Sequence, residues 1–271
     1  MSSPGSPSGP KDNLTAHPPY RLGECTWTEA RERLRAARVA ILPAGAHEAQ
    51  GPHMPMSADG IIADEMCVRG AAELRRRGID ALVLSTLPYG ASYASLPFPG
   101  TIILTPATIQ ALVTDVGRSL ARHGLGFLFL ASAHLEPTHL SALQAAANTL
   151  EHETSLKVGT LDIREPRWAE RLSDEFRRGA RHGGSYGTSL VLAARPDLVR
   201  MDVARTLEPV WINLLEVVAK GARTFDQAGS PLAYFGEPAQ ASAEEGEKLF
   251  DALGTIIADA VEELMGADPT T

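Results

Sequence analysis

Two short segments carry residue types that could do chemistry together. The first, Leu42 to Asp59, holds Glu48, Gln50, His53 and Asp59; the second, Ala131 to Pro137, holds His134 and Glu136. Each lies where an apolar, strand-like run gives way to a polar loop. Carboxylates and imidazoles are donors that Zn²⁺, Mn²⁺ and Fe²⁺ accept. Packing gives a surface loop no reason to hold Glu48, His53, Asp59, His134 and Glu136 at such spacing, whereas one buried ion does. Ser185 has no partner spacing that suggests a serine hydrolase, and no phosphate-binding glycine loop is present.

The elements that must position these residues follow from the pattern around them. Thr26 and Glu29 are spaced as a capping box that opens a helix through about residue 37. Val39 to Leu42 reads as a short strand that Pro43 stops. Helical spacing from Asp59 to Arg77 ends at Gly78, a natural residue just past a helix. Ala81 to Thr86 is a second strand, followed by a Pro/Gly/aromatic loop over residues 88–101. A helix over Pro106 to His123 precedes a third strand, Gly126 to Ala131, apolar on both faces as in the middle of a parallel sheet. A helix over Pro137 to Glu151, a strand over Leu156 to Leu161 and a long helix from Ser242 to Met265 complete the series. Strands alternating with helices predict an α/β fold, a three-layer α/β/α sandwich with a mostly parallel central sheet. Ligands in such sheets bind beyond the carboxyl ends of the strands. The loops after the first and third strands therefore open on one side and can converge on one ion.

Composition bounds the rest. A chain of 271 residues has room for one large α/β domain, expected over residues 19–271. Residues 1–18 are Ser/Pro/Gly-rich, have no secretory signal pattern and are expected to form a disordered tail. The net charge of −8, from 25 basic against 33 acidic residues, argues against nucleic-acid and anionic-membrane partners. Arg75 to Arg77 and Arg177-Arg178 each close a helical segment, where cations complement the helix dipole. No apolar run approaches the roughly 18–20 residues that span a bilayer. Cys25 and Cys67 match no metal, redox or disulfide spacing, so free thiols in a reducing cytoplasm are expected.

With these residues in place the chain resembles the creatininase (creatinine amidohydrolase) family, as a divergent member. Its first block matches at Pro43, Gly45, Glu48, Gly51, Pro52, His53, Pro55 and Asp59. The loop Phe98 to Thr101, the pair His134 and Glu136, and the stretch His182 to Ser189 match later blocks in consistent order, over about residues 22–265. The resemblance implies homo-oligomers, often hexamers, and a two-metal site that hydrolyses C–N bonds in cyclic amides, formamides or peptide tails. By position, Glu48, Asp59 and His134 would hold one metal, with Asp59 bridging to a second that Glu136 serves. His182 would be the proton shuttle.

The chain departs from the family pattern at several points. Gln50 stands where the family has the histidine of the second metal, and Gly187 where it has a glutamate. Ser132-Ala133 replaces Asn-Gly before His134, and Ala46 replaces a serine. The amide oxygen of Gln50 is a weak ligand beside imidazole, so about one divalent ion per chain is expected, Zn or Mn with Fe possible. His47 and His139 are close enough in sequence to offer a substitute ligand. Glu136 is either a ligand and general base or a carboxylate at a helix start; His53 is read as structural support for the site. Tyr89, Tyr93 and Phe98 either wall a substrate pocket, fill the core or form an oligomer contact. Trp27, Trp168 and Trp211 are expected to pack. The leading expectation is a cytoplasmic, metal-dependent amidohydrolase acting on a small, non-standard amide, lactam or formamide other than creatinine. Its rival is a repurposed or catalytically silent homologue: a one-metal lyase or cyclase, or a binding subunit.

Overall fold

The computed structural model describes residues 21–266; the tail expected over residues 1–18 lies outside them. The chain opens with helix α1 (Trp27–Ala36), where Thr26 and Glu29 form the expected capping box. Strand β1 (Val39–Ala44) leads through a long loop to α2 (Ala58–Arg76), and β2 (Ala81–Val83) leads through the aromatic loop to α3 (Pro106–Arg122). Strand β3 (Phe127–Ser132), α4 (Pro137–Glu153) and β4 (Lys157–Leu161) follow. Short helices α5 (Pro166–Ala169) and α6 (Asp174–Arg177) precede α7 (Ser185–Ala194), α8 (Met201–Ala204) and α9 (Leu214–Ala219). The last element is α10 (Ala243–Gly266).

The four strands pair in the order β2-β1-β3-β4, all parallel. Alternate residues of each strand enter opposite layers, as the two-residue period of a strand requires. Val39, Ile41, Phe127 and Phe129 pack under α2, α7 and α10, with Met66, Leu190, Leu253 and Ile257. Ala40, Leu42, Leu128 and Leu130 pack under α3 and α4, with Val113, Leu120, Leu143 and Leu150. The α/β/α sandwich is thus three layers thick. Helix α10 lies along α2 and α7 on one face, where Arg77 reaches Glu73, Asp259 and Glu262. Its guanidinium therefore joins two helices as well as closing one.

Three expectations are corrected. Pro43 does not stop β1, which runs on to Ala44 and pairs with β3 throughout. The carbonyls of Ile41 and Pro43 face β2, accepting the amides of Leu84 and Leu87. Pro43 has no amide to donate, and it lies where the neighbouring chain carries one extra residue as a bulge, Ile41 standing opposite Val83 but Ala44 opposite Leu87, with Thr86 Oγ1 donating to Asp64. The same bulge ends β2 at Val83 instead of Thr86. Trp27 does not pack: it is 74% exposed, with the Arg31 guanidinium 5.3 Å from its ring centre. Trp168 is buried, and Trp211 lies under Arg178 at 3.6 Å.

Candidate metal site

The site forms at the carboxyl ends of β1 and β3. Glu48 sits in the loop after β1, its amide donating to Met56 O at 3.0 Å, and Asp59 lies in the first turn of α2. His134 follows β3, held by Ser132, whose hydroxyl donates its one proton between His134 O at 2.8 Å and Ala44 O at 3.2 Å and accepts the His134 amide at 3.1 Å. Ser132, at the family's asparagine position, thereby stitches the two strand ends together. All three side chains are buried, and one ligand atom of each lies within 4.8 Å of the others. His134 Nδ1 is 3.0 Å from Glu48 Oε1 and 3.1 Å from Asp59 Oδ2.

The hydrogen bonds around the three show what the site fits. His134 Nε2 lies 2.9 Å from the Ala91 carbonyl, which can only accept, so Nε2 carries the proton. A neutral His134 then turns its Nδ1 lone pair toward two carboxylates, an arrangement that asks for a cation between them. Asp59 Oδ2 is buried and accepts no hydrogen bond. Without a metal the cation is a proton. Burial opposes charge on His134, but Glu48 and Asp59 outweigh it and raise its pKa well above the ordinary value. Burial likewise pushes Glu48 up, and the His134 and His182 rings overcome it, holding Glu48 well below the usual carboxylate range. Burial raises Asp59, with the His134 contact opposing. These donors fit one divalent ion of the Zn²⁺ or Mn²⁺ type.

Gln50 and Glu136, at the positions of a second ion, have other partners. The Gln50 amide nitrogen donates to Asp59 Oδ1. Glu136 stands outside the group of three: its Oε1 and Oε2 accept the backbone amides of Tyr93 and Ala94, each at 3.2 Å. Burial raises the Glu136 pKa, and the Ala94 and Tyr93 amides partly offset this. Neither neighbouring histidine joins the group. His47 lies against Tyr89, ring centres 5.8 Å apart. His139 accepts the Ala91 amide on Nδ1 at 3.4 Å, leaves Nε2 buried and unpartnered, and is lowered to a pKa of about 3 by burial.

His182 does reach the site. Its Nε2 donates to Ala49 O at 2.8 Å, so Nδ1 faces inward, 3.7 Å from Glu48 Oε1. The ring lies against Phe225, centres 4.2 Å apart and planes tilted by 43°, and the His182 carbonyl accepts the Phe235 amide. His53 stays outside the ligand group, buried with Nε2 2.8 Å from Thr188 Oγ1, and burial lowers its pKa to about 4. Gly51, at φ +80°, makes this possible, since a Cβ there would meet the His53 ring at 2.6 Å. Tyr89 and Tyr93 are 40% and 39% exposed, so they are not core residues, and Phe98 is half-buried.

Several supports carry no signal in the sequence. Ser95 Oγ donates to Glu48 Oε2 at 2.6 Å. Glu175, in α6, accepts the amides of Tyr186 at 2.6 Å and Glu237 at 2.7 Å, tying the start of α7 to the segment whose Phe235 amide donates to His182 O. Both look like surface residues in sequence. Residues 183–187 do spell G-x-S-x-G, but no strand runs into them; they follow α6, and Ser185 opens α7. A nucleophile elbow needs a strand-to-helix turn.

A parallel three-layer α/β/α fold with a buried His–carboxylate cluster at its strand ends narrows the class, and comparison with known proteins completes it. The profile of the creatininase family, described as creatinine amidohydrolase, matches residues 23–261. The chain belongs to the creatininase family. It is 33% identical to creatinine amidohydrolase of Pseudomonas putida over 259 residues, covering 89% of this chain and 96% of that protein. It is 27% identical over 249 residues to a mycofactocin precursor peptide peptidase of Mycolicibacterium smegmatis (strain ATCC 700084 / mc(2)155), covering 90% and 91%. A manganese form of creatininase superposes with a TM-score of 0.73 at 30% identity, covering 90% of this chain and 97% of that one.

Proposed function

We propose that this protein is a metal-dependent amidohydrolase that cleaves a C–N bond in a small amide, lactam or formamide. The observation that carries the reading is the buried trio Glu48, Asp59 and His134, with Asp59 Oδ2 unpartnered and His134 Nδ1 turned inward. A divalent ion there, Zn or Mn, would be held by these three side chains and would supply Lewis acidity toward an amide carbonyl and a water. Glu48 and Asp59 bring the negative charge that retains the ion. The Ala91 carbonyl keeps His134 in the tautomer that can donate to it.

His182 is read as the proton carrier. With Nε2 committed to Ala49 O, its free Nδ1 can take a proton and release it to the leaving nitrogen. The Phe225 ring and the Phe235 amide hold it in place. Tyr89, Tyr93 and Phe98, on the loop beside the site, are read as the substrate wall. Related proteins are described as acting on creatinine and on a precursor peptide. The changes at Gln50 and Gly187 support a substrate other than creatinine. We further read the chain as a cytoplasmic homo-oligomer, a hexamer by family likeness; among the described residues no helix is long and apolar enough to cross a membrane.

The test is elemental analysis of the purified protein beside hydrolysis assays on lactams, formamides, short peptides and creatinine. Bound metal and chelator-sensitive hydrolysis of one of these amides are expected. A folded, metal-free chain whose melting temperature ignores added Zn²⁺ and Mn²⁺ would instead support the silent, repurposed reading.

A further inference from the structure

Gln50 and Glu136, at the positions that would serve a second ion, both have other partners, and these contacts have a pattern. A carboxylate oxygen can only accept, so it is the Gln50 nitrogen that faces Asp59 Oδ1. The Gln50 oxygen, its one metal-ligating atom, lies on the other side, 3.9 Å from where a Cβ of Gly187 would stand. The Met54 methyl and the Gln50 oxygen border that position at ordinary contact distance, and the polar hydrogens of the amide point at Asp59.

Glu136 is committed in a different way. Its two oxygens hold two consecutive amides, Tyr93 N and Ala94 N, of the short turn Tyr93–Ser95. That turn touches both halves of the site. Ser95 Oγ donates to Glu48 Oε2 at 2.6 Å, which leaves Oε1 free to face His134 Nδ1. The carbonyl of Ala94 accepts the Phe225 amide at 2.9 Å, and the Phe225 ring lies tilted against His182. One carboxylate thus anchors a turn that sets the rotamer of a metal ligand and braces the ring of the proton carrier.

We propose that this chain works with a single ion, the Gln50 amide standing on Asp59 where a second ion would bind. Glu136 is then a positioning residue that pins the Tyr93–Ser95 turn, which orients Glu48 and braces His182. The inference rests on the reading of Glu48, Asp59 and His134 as ligands. Outer partners of this kind are worth 10–100-fold in metal affinity.

The experiment is a Mn²⁺ titration of chelator-treated protein, read by the electron paramagnetic resonance signal of free Mn²⁺. Visible spectra of the Co²⁺-loaded forms are taken alongside. Wild type is expected to saturate at one equivalent. Glu136→Ala and Ser95→Ala are each expected to saturate at one equivalent with affinity weakened by about 10–100-fold. Their double variant should be hardly weaker than either, because both cut the same link. The Co²⁺ bands of both singles should shift alike, since each frees Glu48. Glu136→Gln, which keeps the volume and one acceptor, should fall between wild type and the alanine variant, and covers the case in which that variant does not fold.

Two equivalents in wild type overturn the single-ion inference while leaving the metal reading intact. Wild-type affinity and spectrum in a folded Glu136→Ala or Glu136→Gln overturn the positioning role. Loss of the ion in Glu136→Ala with Ser95→Ala unaffected would make Glu136 a ligand. No binding by folded wild type defeats the ligand reading itself, and the inference with it.

Discussion

Glu175→Ala tests whether one buried carboxylate supports the His182 segment. Glu175 accepts the Tyr186 amide on Oε2 and the Glu237 amide on Oε1. The Tyr186 amide is in the first turn of α7, whose preceding residue, Gly184, offers no side-chain cap. An anion from the preceding helix, α6, therefore does the capping, where the helix dipole favours negative charge. The fit excludes any other side chain: a Cβ on Gly236, at φ +90°, would collide with Glu175 Oε1. Two hydrogen bonds to a charged acceptor, at about 1.5–3 kcal/mol each, set the expected loss at about 3–6 kcal/mol. Part of this is offset because the alanine no longer buries a carboxylate, so the lower half, about 3–4 kcal/mol, is the expected outcome. Against a typical total of about 5–15 kcal/mol this is severe. Urea unfolding followed by circular dichroism at neutral pH measures it as a fall in midpoint at unchanged slope. Glu175→Gln should recover part of the loss, since its oxygen still accepts one amide. A Glu175→Ala protein within about 1 kcal/mol of wild type would refute the reasoning: it would mean that water serves these amides equally well.

Other outcomes are expected from the same structure. His134→Ala should release the metal and abolish hydrolysis while circular dichroism stays native; full metal content in the variant would remove His134 from the ligand set. His182→Ala should keep metal content and slow turnover by about 10²–10⁴-fold, the usual contribution of a general acid–base group, and an unchanged rate would leave His182 as a loop residue. Acid should destabilise the fold through His139 and His53, whose folded pKa values of about 3 and about 4 lie below the ordinary 6.5. A depressed histidine contributes stability that is complete above pH 6.5 and is lost as pH falls toward the folded value. At about pH 5 each costs about 2 kcal/mol, so His139→Asn should remove about that much of the change between pH 7.5 and pH 5. Parallel pH profiles for variant and wild type in urea unfolding would contradict this.

Much of the architecture could be read without coordinates because it rests on local rules. The capping box at Thr26, the glycine after α2 and the doubly apolar third strand act over a few residues, and each appears where its pattern lies. The edge of β2 and the passage of β1 through Pro43 could not be read that way. Whether a proline breaks a strand depends on what its missing donor faces, and here it faces a bulge in a neighbour far along the chain. The segment from α5 to α9 has short elements with little periodicity, and its form depends on what it packs against.

The candidate site divides along the same line. Residue types and spacing singled out Glu48, His53, Asp59, His134 and Glu136, because few side chains can ligate a cation and the strand order brings their loops to one end of the sheet, while His182 entered only through the family resemblance. What each is free to do was decided by tertiary hydrogen bonds. The Ala91 carbonyl sets the His134 tautomer, the Gln50 amide takes one Asp59 oxygen, and the Tyr93 and Ala94 amides take both oxygens of Glu136. Ser95, Phe225 and Glu175 entered only with the fold. The chain carries the inventory of donors and acceptors, but a hydrogen bond between residues far apart in sequence exists only once the folded backbone sets its distance and angle. That is why the sequence determined which residues could meet at the site, and only the tertiary structure decided which of their atoms remain free.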